Sequence, residues 1–144
     1  MDTESLLRSL NAHNVDYVII GATAFPIHGY ARATLDIDIF IRPESENAKL
    51  TLRALQDFGY DVSDLTEEDL LTKKVLIRQY LVETDIHPFV RGITFDQVRA
   101  HRVPGKYGNQ KVHYASLDDL IAMKRAAGRG KDLEDLKALE KLKK

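Results

Sequence analysis

The sequence contains no cysteine, and this absence excludes several kinds of site. A disulfide framework, a thiolate metal site and a thiol nucleophile all require cysteine, so the chemistry of the chain must rest on other side chains. Long apolar runs are also missing, since no segment approaches the roughly 20 apolar residues of a membrane span. The N-terminal segment MDTESLLRSLNAH has no basic lead into an apolar stretch. We therefore expect a cytoplasmic protein without a membrane partner.

The composition is that of a folded protein with an uneven distribution of charge. Hydrophobic residues make up 44% of the 144 residues and charged residues 30%, which predicts one globular domain over residues 1–144. Residues 1–72 hold 5 Lys and Arg against 13 Asp and Glu, and residues 73–144 hold 16 against 9. Either acidic and basic helices face solvent or each other, or the basic half contacts phosphate.

Hydrophobic periodicity and turn residues predict alternating helices and strands. In chain order the predicted elements are a helix over 3–13, a strand over 17–20, a short helix over 22–28, a strand over 35–41, a helix over 43–58, a short helix opened by Thr66 and Asp69, one long or two short strands within 75–88, a loop around Pro104, Gly105 and Gly108, a strand over 111–114, and helices over 116–128 and about 132–142.

Two aspartates interrupt an otherwise apolar strand. Asp36 and Asp38 are two residues apart, so both project from one face of the strand, while Ile37 and Ile39 project from the other. Paired carboxylates at this spacing suit a pair of divalent cations about 3.5 to 4 Å apart, as in phosphoryl-transfer sites. The alternative interpretation is an amphipathic strand with two surface aspartates, which the spacing alone does not exclude.

A small-residue turn precedes this strand. The apolar run 17–20 ends at Gly21, Ala22 and Thr23, and the chain passes directly into a predicted short helix. Such a turn presents backbone N–H groups to an anion, so it predicts a phosphate site. A turn of this kind is also a common connector between a strand and a helix.

Together these motifs resemble those of a known superfamily. The segment VIIGATAFPIHGYARATLDIDIF is similar to the signature of the polymerase-β-like nucleotidyltransferases, in which Gly-Gly or Gly-Ser precedes Asp-x-Asp. It is closest to that of the small bacterial members of the minimal or toxin-type, AbiEii-like group. The segments TDIHPFV and DDLIAMKRAAGRGKDLEDLKAL extend the resemblance over most of the chain. It implies an α/β (α+β) fold with a mixed β-sheet flanked by helices.

The resemblance also implies an activity, a cofactor and partners. The activity is transfer of a nucleoside monophosphate from a nucleoside triphosphate to a hydroxyl of RNA, protein or a small molecule, with a small helical antitoxin as a possible partner. Three carboxylates hold two Mg²⁺ ions, for which Mn²⁺ can substitute. Asp36 and Asp38 match the first two carboxylates and Asp85 the third, with Glu83 as its competitor on the same strand face.

Basic and small residues complete the candidate site. Gly21, Ala22 and Thr23 are expected to bind the nucleotide, although relatives have glycine or serine at the position of Ala22. Arg32 either reaches a triphosphate oxygen or forms a structural ion pair with a local carboxylate. Lys124, Arg129 and Lys131 match basic positions of the group and either contact phosphate or form a solvated helix face.

Two hypotheses remain beside that of a transferase. Ala22 favours a catalytically weak or inactive nucleotide-binding module of the same fold, and the intact aspartate pair argues against it. Metal-dependent phosphoester hydrolysis, with water in place of the acceptor, is the other.

Overall fold

The computed structural model describes residues 1–143, which form a mixed six-stranded β-sheet with flanking helices, as the sequence predicted. The strand order is β3-β4-β2-β1-β6-β5. The pairs β2/β4 and β1/β6 are parallel and the other three are antiparallel. The strands are β1 (Tyr17–Ile20), β2 (Asp36–Ile41), β3 (Val75–Ile77), β4 (Glu83–His87), β5 (Val103–Tyr107) and β6 (Gln110–Tyr114).

Six helices cover the sheet, and their ends follow local sequence signals. Ser116 caps one helix and Thr66 another through their side-chain oxygens, while Gly59 and Gly128 end helices in the left-handed conformation. Within residues 1–143 no helix combines the length and the apolar character needed to cross a membrane. The helices are α1 (Thr3–Ala12), α2 (Ser45–Phe58), α3 (Glu67–Thr72), α4 (Phe95–His101), α5 (Leu117–Ala127) and α6 (Leu133–Leu142).

The core lies around the two central strands. All four residues of β1 are buried, and β2 buries Ile37, Ile39, Phe40 and Ile41. Full burial of each such side chain contributes about 1.5 to 3 kcal/mol, so this pair of strands is the best-anchored part of the sheet. Because the pair is fixed by its apolar residues, the acids of β2 are held in place by the core.

Some predicted elements were wrong. The segment 22–28 forms two short 3₁₀ turns, Gly21–Ala24 and Pro26–His28, because Pro26 lacks the N–H that a continuous helix would use. The predicted loop around Pro104 and Gly105 is the edge strand β5, whose outer side needs no N–H donor from proline.

The structure also decides between two predicted alternatives and adds one helix that was not predicted. The β-rich stretch 75–88 consists of two strands, one of the two predicted possibilities. Helix α4 was not predicted, because its seven residues bury only Phe95 and Val98. Phe95 is nevertheless important for packing, since its ring meets Phe40 edge-on with the centroids 5.3 Å apart.

Tyr60 fixes the start of β4 from the end of α2. Its hydroxyl donates to the carbonyl of Val82 over 2.7 Å and lies 2.8 Å from the hydroxyl of Thr84, and all three groups are buried. The contact matters for the site because Asp85 follows Thr84 directly.

We predict that Tyr60→Phe lowers the free energy of unfolding by about 1 to 2 kcal/mol, because Val82 and Thr84 lose a buried hydrogen-bond partner. Urea denaturation measures this change. Tyr80→Phe is the matched control, since the exposed Tyr80 hydroxyl donates to Gly59 and water can replace it. Equal losses in the two variants would contradict the prediction.

Candidate active site

Neighbouring strands bring the predicted carboxylates together on one face of the sheet. In the parallel pair of β2 and β4, Asp38 is the register partner of Asp85, and Asp36 is that of Glu83. Register partners project to the same side, so all four acids share a face. Burial separates the two candidates for the third carboxylate, since Asp85 is only 4% exposed while Glu83 is half-buried.

Asp36, Asp38 and Asp85, but not Glu83, line a cavity of about 260 Å³ together with most of the other predicted site residues. The cavity brings together residues that are far apart in the sequence, from the turn after β1 to the start of α6. Thr23 is not among its lining residues, and its hydroxyl lies 3.5 Å from the carbonyl of Asp36. The lining residues are Gly21, Ala22, Arg32, Thr34, Asp36, Asp38, Lys74, Asp85, Lys124, Arg129, Lys131 and Asp132.

Two other cavities have different lining residues. The largest, about 460 Å³, lies at the opposite end of β1 beside Asp16 and Arg99, and it contains none of the predicted site residues. We therefore do not include this cavity in the candidate site. A cavity of about 160 Å³ adjoins the carboxylates on the other side of Asp38, and Phe25, Leu120 and Met123 give it an apolar wall.

The turn after β1 is shaped by Gly21. Its φ is 69°, in the left-handed region, and a Cβ at this position would collide with the carboxylate of Asp38. Ala22 has no positive φ and is buried, so its backbone does not require glycine. The difference from relatives at position 22 therefore changes the side chain without straining the turn.

Asp38 and Asp36 each have a local partner. His87 Nε2 lies 2.8 Å from Asp38 Oδ1, so the His87 ring lies on the face of the acids. Thr34 donates its hydroxyl to the backbone carbonyl of Asp36 over 3.1 Å and to its carboxylate over 3.0 Å. These contacts fix the directions of the two carboxylates.

Asp85 is the most deeply buried of the acids. Burial raises the pKa of its carboxyl above the usual 3.8, and the charges of Asp38 and Asp36 raise it further, while Arg78 acts in the opposite direction. Arg78 Nη1 lies 2.8 Å from Asp85 Oδ1, but this oxygen accepts no hydrogen bond, so the contact is an ion pair without N–H alignment. Asp85 Oδ1 is thus a buried carboxylate oxygen whose neighbour is the Arg78 guanidinium.

Arg78 and Lys74 were missed by the sequence prediction. Leu76 is the register partner of Asp85, and strand alternation places residues 74 and 78 on the same side as Leu76. Lys74 Nζ lies 3.9 Å from Asp85, and Arg78 also lies within 4.0 Å of Asp36 and Glu83. The alternation was visible in the sequence, but the pairing of β3 with β4 was not.

The chemistry of the acids fits a divalent cation, although a guanidinium lies among them. Within residues 1–143 no group of three Asp, Glu, His or Cys side chains is arranged to hold a metal ion. The donor set itself is suitable, because carboxylate oxygens are the ligands that Mg²⁺ prefers and Asp85 has a buried oxygen without a hydrogen bond. Asp36, Asp38 and Asp85 are the residues that would hold it.

The basic side chains of the cavity are anchored by two buried aspartates. Arg32 forms a two-pronged pair with Asp135 over 2.8 and 2.9 Å, and this partner is distant in sequence, unlike the local carboxylate of the structural alternative. Lys124 lies 3.0 Å from Asp132 and 3.3 Å from Asp135, and Arg129 also pairs with Asp132. Arg32, Lys124 and Arg129 thus form a positive wall held by ion pairs, whereas Lys131 lines the cavity as an exposed side chain.

Asp132 binds cations and does not cap the helix that follows it. It stands at the N-cap position of α6, but its side chain makes no capping hydrogen bond. Burial alone would raise the pKa of Asp132, whereas hydrogen bonds from Arg129 and Lys124 outweigh burial and lower the pKa to about 2. Its carboxylate is therefore committed to the two cations.

Comparison with known proteins identifies a family and a similar fold. Residues 2–143 match the family model described as "Nucleotidyltransferase of unknown function (DUF6036)". The fold is similar to that of the lincosamide antibiotic adenylyltransferase LnuA in its lincomycin-bound crystal structure, with a TM-score of 0.65, 16% identity, and coverage of 99% of this chain and 98% of that one. No curated protein matches the sequence.

We predict that Gly21→Ala lowers the free energy of unfolding by at least about 1 to 2 kcal/mol, because alanine is strained at positive φ and its Cβ meets Asp38. Thermal or urea unfolding measures the loss. Gly130→Ala is the matched control, since a Cβ there has open space. A Gly21→Ala protein as stable as this control would contradict the assignment of strain to the turn.

We predict that Asp132→Asn costs about 2 kcal/mol at neutral pH, from the difference between a pKa of 3.8 and one of about 2. Because the folded-state pKa is depressed, this contribution is present above about pH 4 and is lost as pH falls toward 2. Denaturation of both proteins across this range should therefore show their stabilities converging. Asp118→Asn, at an exposed ion pair with Lys143, should change little at either pH.

Proposed function

The chain belongs to the family described as nucleotidyltransferase of unknown function (DUF6036), and from this premise we propose that it transfers a nucleoside monophosphate from a nucleoside triphosphate to a hydroxyl acceptor. The observation that carries the proposal is the juxtaposition of Asp36, Asp38 and Asp85 on one face of β2 and β4. Acids on the strands and cations on the C-terminal segment line the same cavity. These opposite charges suit a metal-bound triphosphate.

The turn at Gly21 and the positive wall would bind the triphosphate. Gly21 and Ala22 line the cavity, and the backbone N–H groups of such a turn would suit phosphate oxygens. Lys124, Arg129 and Lys131 supply positive charge, and Arg32 contributes from its pair with Asp135. The adjoining apolar cavity would take the flat face of the nucleobase.

The acids would orient the reacting groups. Two Mg²⁺ ions held by Asp36, Asp38 and Asp85 would neutralise the triphosphate and lower the pKa of the acceptor hydroxyl. The hydroxyl oxygen would bond to the α-phosphorus as the bond to the β-phosphate oxygen breaks, releasing pyrophosphate. Asp85, whose pKa is raised, would either accept the hydroxyl proton or hold the metal ion, and His87 would keep Asp38 in position.

The acceptor defines the biological role. The resemblance to toxin-type, AbiEii-like proteins supports an RNA or protein acceptor and a toxin–antitoxin pair with a small helical partner. A small-molecule hydroxyl is the other class, and LnuA is an adenylyltransferase for a lincosamide antibiotic. A catalytically weak nucleotide-binding module is the second candidate function, favoured by Ala22 and by the guanidinium of Arg78 among the acids.

We predict that the protein transfers label from an α-labelled nucleoside triphosphate in the presence of Mg²⁺, and that Asp36→Asn with Asp38→Asn abolishes transfer. The assay offers cell RNA, lysate protein and hydroxyl-bearing small molecules separately, so the labelled fraction identifies the acceptor. Calorimetric titration of each triphosphate with and without Mg²⁺ shows binding independently. Binding without transfer to any acceptor would support the second candidate.

The third carboxylate is tested by a matched pair of variants. Asp85→Asn should reduce transfer at least about 100-fold, the usual scale for loss of a general base, whereas Glu83→Gln should retain most of the activity. The reverse pattern would assign the role to Glu83. Transfer that survives the Asp36 and Asp38 double change would disprove the site.

A further inference from the structure

Arg78 places one guanidinium among three carboxylates of the candidate site. Its nitrogens lie 2.8 Å from Asp85, 3.7 Å from Glu83 and 3.9 Å from Asp36. A guanidinium is permanently charged, so it lowers the repulsion between these acids when no other cation is present. The positive charge of Arg78 therefore stands where the acids would otherwise need a metal ion.

A guanidinium and a divalent cation cannot share this position. Both would need the oxygens of Asp36 and Asp85, and two positive charges a few ångströms apart in a partly buried site repel each other. With Arg78 in this position, no three-ligand metal geometry is present within the described residues. Metal binding thus requires Arg78 to move.

The position of Arg78 suits such a movement. Its side chain is 39% exposed, and two of its three ion-pair distances are near the outer limit of such contacts. The residue stands directly after β3 and before an exposed connection in which Leu81 is 98% exposed. By contrast, Arg32 is held in a two-pronged pair with Asp135.

We propose that Arg78 is a positioning residue that holds the metal-free carboxylates and makes divalent-metal binding depend on the nucleotide. This inference rests on the proposed function, because the triphosphate supplies the new anionic partner for the displaced guanidinium. Without a triphosphate, a metal ion must displace Arg78 into solvent. With a triphosphate, Arg78 exchanges carboxylates for phosphate oxygens, so metal and nucleotide bind with positive coupling.

Arg42 provides a matched control within the same chain. It also contacts three carboxylates, at 2.8 Å for Asp16, 3.1 Å for Asp96 and 3.4 Å for Glu44. None of these acids lines the candidate cavity. Removing either arginine therefore deletes a cation with three acidic partners, but only one removal affects the proposed metal position.

The test measures Mn²⁺ binding by the paramagnetic resonance signal of free Mn²⁺, with and without a non-reacting α,β-methylene triphosphate. Without nucleotide, Arg78→Gln should bind Mn²⁺ about 10-fold or more tightly than the unaltered protein, and Arg42→Gln should not differ from it. With the analogue, the advantage of Arg78→Gln should shrink to within about 3-fold. Mn²⁺ should also raise the Tm of Arg78→Gln without nucleotide.

A second variant covers a failure of Arg78→Gln to fold. Arg78→Lys keeps the charge on a compact ammonium that cannot span three acids, so its Mn²⁺ affinity without nucleotide should exceed that of the unaltered protein. Equal Mn²⁺ affinities of the unaltered protein and the Arg78 variants without nucleotide would overturn the role of Arg78 and leave the transferase proposal intact. Absence of Mn²⁺ binding by every protein, even with the analogue, would overturn the proposed function itself.

Discussion

The repulsion between carboxylates on the adjacent strands β2 and β4 is the constraint on which the candidate site depends. The apolar faces of these strands are fixed in the core, so the acids cannot separate without disrupting it. Each of these acids has its own neighbouring group that reduces the repulsion. Arg78 and Lys74 neutralise Asp85, His87 lies against Asp38, and Thr34 donates to the carboxylate of Asp36.

The fold brings residues of the acidic first half and the basic second half of the sequence to the same cavity. The acids of β2 come from the acidic first half of the chain, and Lys124, Arg129 and Lys131 come from the basic second half. These groups line the same cavity from different elements. Lys124 and Arg129 stay in place because Asp132 and Asp135, which belong to the basic half, hold them.

Sequence reasoning found the parts of the site that local patterns determine. Alternation in β2 predicted that Asp36 and Asp38 share a face, and the turn residues located Gly21 beside them. The partners of Arg32 and Asp85 could not be predicted in this way. Arg32 pairs with a residue 103 positions away, and Arg78 reaches Asp85 only through the pairing of β3 with β4. Such contacts depend on strand order and register, which a single sequence does not specify.

The short strand β3 has a consequence for how the protein behaves among its own copies. An edge strand offers unpaired backbone groups to other chains, and charged side chains and short length are common protections against such pairing. β3 has only three residues, and Lys74 and Arg78 flank it. At the opposite edge, β5 contains Pro104. The cations beside the carboxylates therefore also help to keep the sheet from growing by edge-to-edge aggregation at high protein concentration.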